Sequence, residues 1–133
     1  MQAKGEFEVT LTPQELSTSA AASGLGRLTI SKVFRGDLAA ESAGEMLSVR
    51  SESVPGSAGY VALERVRGTL GGKRGSFALQ HTGTMDRGQA SLRVSVVPDS
   101  GSEELAGLSG EMTIDIVERR HFYRFEYDFR APG

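Results

Sequence analysis

The chain has 133 residues, the size of one compact domain, so a second independent core is not expected. Hydrophobic residues make up 38% and charged residues 24%, which supports a modest core and excludes a fully disordered chain. A formal net charge of -2 leaves no positive excess to draw a phosphate backbone or an anionic bilayer, and the absence of Cys excludes disulfides, a thiolate nucleophile and thiolate metal sites. Neither nucleic acid nor a membrane is therefore an expected partner. The run from Met1 to Phe7 has no basic stretch followed by an apolar core, and no later window approaches the ~20 apolar residues of a membrane helix, so a soluble, cytoplasmic protein is expected.

Seventeen glycines spread along the whole chain read as punctuation between short extended segments, which points to an all-β fold. In the first segment Phe7, Val9 and Leu11 alternate with Glu6, Glu8, Thr10 and Thr12, the period of a half-buried strand. Pro13 ends it, and residues 13–26, rich in Ser and Ala, read as a loop or short helical insert. From Arg27 to Ala40 the even positions include Leu28, Ile30, Lys32, Phe34, Leu38 and Ala40, predicting one strand that Gly36 bends. Glu45 to Ser53 predicts a third strand, closed by a Pro55-Gly56 turn.

Tyr60 to Leu70 sets Tyr60, Ala62, Glu64 and Val66 on one face, with Val61, Leu63, Arg65 and Arg67 on the other. Gly71 to Gly75 reads as the hairpin loop into Ser76 to Met85, where Phe77, Leu79, His81, Gly83 and Met85 oppose Ala78, Gln80, Thr82 and Thr84. Ala90 to Val96, Gly110 to Val117 and His121 to Phe129 complete the set, the last placing Tyr123, Phe125, Tyr127 and Phe129 together. Eight such segments are best closed into an antiparallel barrel or folded into a sandwich, since closure removes exposed edges. No internal repeat of propeller or solenoid length is visible.

The runs Gly44 to Leu47, Gly56 to Gly68, Gly75 to Met85 and Val96 to Gly110 resemble the bacterial domain-of-unknown-function family DUF3224, in consistent order over nearly the whole chain after the first loop. The resemblance implies an eight-stranded antiparallel β-barrel similar to that of allene oxide cyclase. In Ser100 to Gly110 the chain departs from the wider group at Ser102-Glu103, where Thr-Gly is usual, so a turn that needs Gly is expected to be reshaped. The family carries no established reaction. The allene oxide cyclase group guides apolar, flexible substrates through ring closure, which suggests cofactor-free isomerisation or cyclisation by fold analogy.

Among residues able to carry chemistry, Glu64 and His81 are the candidate catalytic pair. If the face of Glu64 is the lumen, desolvation is expected to raise its pKa from ~4.3 so that it exchanges protons near neutrality; otherwise it pairs with Arg65 or Arg67 or faces water. His81 is either a ligand contact or a satisfied core histidine. The hairpin brings the two toward one wall if their parity agrees. Candidate ligand contacts are Tyr60, Phe77, Leu79, Met85, Tyr123 and Phe125, with core packing the competing reading of the aromatics.

Gln80, Thr82 and Thr84 would line the lumen instead if the interior face is inverted. Lys32 is read as a snorkelling rim residue rather than a lumenal cation, and His121 as solvated. No metal site and no cofactor are expected from two His and no Cys, and the glycine runs lack phosphate-loop spacing.

Three functions compete. An apolar lumen binds a small organic molecule and Glu64, His81 and Tyr60 move a proton on it, in which case Glu64→Gln removes turnover. The same cavity carries a metabolite without chemistry. Or side chains fill the barrel, and an outer face with Val33, Val61, Leu63 and Val97 builds a homo-oligomer.

Overall fold

The computed structural model describes residues 1–131. Eight antiparallel strands, each hydrogen-bonded to its sequence neighbour and the last to the first, close into a barrel. They are β1 (Gln2–Pro13), β2 (Leu25–Gly36), β3 (Leu38–Arg50), β4 (Ala58–Leu70), β5 (Lys73–Asp86), β6 (Gln89–Val96), β7 (Leu108–Val117) and β8 (Arg120–Phe129). The period-two pattern has its expected cause: the apolar parity of each strand lies inside and the polar parity faces water. The parity question is answered in favour of Phe77, Leu79 and His81 inside, with Gln80, Thr82 and Thr84 exposed.

Two boundaries differ from the sequence reading. Arg27 to Ala40 is not one bent strand but the end of β2 and the start of β3, folded at Gly36 and Asp37. Gly36 has φ +104°, a conformation open to glycine alone at little strain, and both strands keep even residues inward, so the turn leaves no break in the alternation. The expected third strand is then only the second half of β3. Likewise the hairpin loop shrinks to Gly71 and Gly72, because Lys73 to Gly75 already pair with Gly68 to Leu70. Within residues 13–26 a one-turn helix, α1 (Thr18–Ala22), starts at Ser17, whose hydroxyl accepts from the Ala20 N–H at 3.3 Å.

The two ends of the barrel are unlike. At the end holding the β2–β3 and β4–β5 turns, Phe34, Leu38, Leu70, Phe77, Leu79, Tyr123 and Phe125 form a continuous buried cluster. Leu105, from a short 3-10 turn between β6 and β7, plugs that end. The Tyr123 hydroxyl accepts from the Leu38 N–H at 2.9 Å and donates to the Arg35 carbonyl at 2.8 Å, tying β8 across the β2–β3 turn.

At the opposite end the inward positions are not covered. Leu11, Met85, Leu92 and Ile116 all have inward parity, yet all are exposed, Ile116 by 66%. The β6–β7 seam contributes to this opening. Its register holds only Val94↔Met112 and Ser95↔Glu111, so the two strands part toward the open end, and Arg93 clamps Glu111 at 2.8 Å on the outside.

The plugging segment carries the departure at Ser102-Glu103. Glu103 has φ +56°, the left-handed conformation that a side chain adopts only at a cost of roughly 1–2 kcal/mol. Glu103→Gly is expected to stabilise the fold by up to about 1 kcal/mol after the added freedom of the unfolded chain is deducted. The check is the denaturation midpoint in urea at unchanged m-value; a lower midpoint would show that the side chain of Glu103 is needed there.

Candidate functional site

Midway along the barrel three ionisable side chains meet inside the wall. Lys32 on β2, Glu64 on β4 and His81 on β5 all have inward parity, and all are buried, with Glu64 only 2% exposed. The register brings them together. Glu64 pairs with Gly44 of β3 and Leu79 of β5, His81 lies one inward step along β5, and Lys32 faces Ser42 across β3. Gly44 makes the approach possible, since a side chain there would strike the Leu63 carbonyl and the Glu64 backbone.

One carboxylate oxygen holds the cluster. Glu64 Oε2 accepts from Lys32 Nζ at 2.8 Å and lies 2.7 Å from His81 Nε2. The Lys32 ammonium also sits over the Phe7 ring, 4.9 Å from its centre, and 5.7 Å from that of Phe34, so aromatic faces replace part of its lost water. Burial, the largest influence, pushes the Glu64 carboxyl up. The His81 hydrogen bond and the Lys32 charge, with the bond from Lys32, oppose it and together hold the group below its ordinary value. The expected elevation of Glu64 is thereby corrected: desolvation acts as foreseen, but the His81 hydrogen bond and the Lys32 interactions together outweigh it. Glu64 is ionised and accepts only, so the proton between the two groups belongs to His81 Nε2.

The structure also corrects two other readings. Lys32 is no rim residue; it is 6% exposed, because its position between Ile30 and Phe34 is midway along the tube. His121 is not solvated but half-buried with inward parity, its ring tilted against Phe7 at 5.1 Å. Of the other candidates, Tyr60 lies inward and half-buried on the mouth side of Glu64, over Gly83, and burial followed by the Glu64 charge raises its pKa. Met85 is exposed at the mouth. Phe77, Leu79, Tyr123 and Phe125 belong to the sealed half, packed against one another and their neighbours, and the hydroxyl of Tyr123 is engaged by backbone.

Ser42 escaped the sequence reading altogether, though its even parity on the continuation of the Ile30 to Ala40 run would have placed it inside. A groove of ≈ 810 Å3 runs between α1 and strands β3 to β5, where Leu16, Leu47, Val61 and Leu63 meet, and its lining extends to Gly44, Ala62 and His81. Among the described residues no group of three His, Cys, Asp or Glu is placed to hold a metal ion, and no helix is long and apolar enough to cross a membrane.

Removing one member of a buried ion pair strands the other. Lys32→Met is expected to cost about 3–5 kcal/mol, and Lys32→Met combined with Glu64→Leu to recover most of it; equal losses in the single and double variants, read from urea unfolding, would contradict the pairing. The pH dependence follows from the lowered carboxyl. Unfolded, Glu64 titrates at its ordinary value of 4.5; folded, it titrates lower, so its stabilisation is complete above that value and is lost as pH falls through the folded one. Below about pH 4.5 the unfolding free energy of the native chain is expected to fall more steeply than that of Glu64→Gln, and parallel curves would refute it.

Comparison with known proteins places this barrel. A solved structure described as a protein of unknown function from the DUF3224 family of Shewanella oneidensis MR-1 is 48% identical and superposes with a TM-score of 0.91, over 99% of this chain and 98% of that one. No functionally curated protein matches. The family model described as protein of unknown function (DUF3224) matches residues 3–127, and the chain belongs to that family.

Proposed function

We propose that the barrel binds a small, mainly apolar organic molecule through its open end and moves a proton on it without a cofactor, as an isomerase or cyclase. The observation that carries this reading is the row of inward apolar residues left exposed at one end, Leu11, Met85, Leu92 and Ile116, leading toward a buried polar cluster. Apolar walls with a few convergent polar groups are what a small-molecule site requires. Glu64 orients His81 through Nε2–H, and His81 Nδ1 is the base that takes and returns the proton; Glu64, ionised and held by Lys32, is the positioning residue. The reaction class rests on the analogy to allene oxide cyclase barrels that the sequence resemblance implies, and on fold analogy alone.

Nile red, which fluoresces in apolar surroundings, is the first probe. Its emission is expected to rise on binding, to be lost in Leu92→Asp combined with Ile116→Asp, and to survive in Leu63→Asp on the outer wall. Loss in the outer-wall variant alone would move the site out of the mouth. A carrier would share the mouth but not the chemistry. Incubation with metabolite extract in D2O followed by native mass spectrometry separates them, since proton transfer by His81 leaves deuterium in the retained ligand and His81→Gln does not.

A second reading rests on the outer groove, where Leu47, Val61 and Leu63 are exposed, Leu63 by 58%. Glu41, Arg65 and Arg67 stand on the same wall, exposed and without ion-pair partners among the described residues. Apolar residues flanked by both signs of charge suit a self-complementary contact with a second copy of the chain. Light scattering after size exclusion is expected to give a dimer that Leu63→Arg dissociates, and a monomer in both would remove this reading.

A further inference from the structure

Two buried polar atoms beside the ionic cluster have no hydrogen-bond partner among the described residues, Glu64 Oε1 and Ser42 Oγ. Both belong to side chains more than nine-tenths buried, and both point inside the barrel from neighbouring strands, Ser42 one inward step along β3 from Gly44, the pair of Glu64. Such groups are costly in a folded chain, a charged one most of all, so their place at the edge of the sealed core calls for a role.

Their chemistry specifies the group that would satisfy them. Glu64 Oε1 is half of an ionised carboxylate and accepts only. The Ser42 hydroxyl both donates and accepts. The nearby cation is already engaged, with Lys32 Nζ bonded to Oε2 and seated over the Phe7 and Phe34 rings. An incoming anion would therefore meet a carboxylate and an ammonium already paired with it, whereas a hydroxyl or N–H would meet an unsatisfied acceptor in a buried site, where such a bond is strong.

Resting on the mouth as the binding site, we propose that Glu64 Oε1 and Ser42 Oγ form a donor-recognition subsite, and that the ligand is a neutral apolar molecule with a hydroxyl or N–H at its inner end. Access lies over Met46, Ala62 and Tyr60, the inward positions between the mouth and Glu64. Met46 and Tyr60 are only half-buried, and their side chains swing aside to admit the donor.

Three probes of one ring system test this, 1-naphthol, 1-methoxynaphthalene and 1-naphthoate, each titrated against Nile red bound to the native chain. 1-Naphthol is expected to bind about tenfold or more tightly than its methyl ether, the return on one charge-assisted hydrogen bond, and 1-naphthoate most weakly. Ser42→Ala leaves the ion pair untouched and is expected to narrow the preference for the naphthol several-fold. Equal affinity for naphthol and ether, tightest binding of the naphthoate, or a preference unchanged in Ser42→Ala overturns the subsite. Failure of Nile red to bind in the mouth at all overturns instead the reading on which it rests.

Discussion

A lysine, a glutamate and a histidine are buried together midway along the barrel, and the rest of the barrel is arranged around that constraint. Taking such charges out of water costs several kcal/mol per ion, recovered only where geometry is close and each charge has several partners. Here a single oxygen of Glu64 accepts from both Lys32 and His81, and two phenyl faces receive the remaining field of the ammonium. The arrangement needs strands β2 to β5 in one register. Those strands pair over almost their full lengths, and β3 to β5 are the longest among the described residues.

The cluster sits where the barrel changes character. Below it, aromatic rings and Leu105 fill and plug the tube. Above it, apolar side chains of the same inward parity stand uncovered. The filled half supplies rigidity and a low dielectric beneath the charges, and the open half supplies the mouth on which the proposed binding rests. A barrel open throughout could not have kept a lysine and a carboxylate desolvated.

Much of this was legible from residue order. Period-two alternation yields eight strands and the two faces of each, because a strand's geometry is local, but which face lines the lumen, and with it the shared wall of Glu64 and His81, stayed open until the barrel closed. The β2–β3 turn was not legible, since a turn at Gly36 and Asp37 leaves the alternation of even residues unbroken. Lys32 was read as a rim residue because a lysine among apolar neighbours ordinarily reaches for water. What reversed that was Glu64, 32 residues away in sequence. The direction of the Glu64 shift turned on the His81 hydrogen bond together with that contact.

Residue order thus determined the set of alternating segments and the residues that share a face, properties of a chain read two residues at a time. Only the closed tertiary structure decided which face is inside, which end is sealed, that Glu64 and His81 meet and Lys32 joins them, and that Ser42 and one oxygen of Glu64 have no partner among the described residues. Those depend on distances between strands far apart in sequence, and electrostatic balance in a buried site is set by such distances.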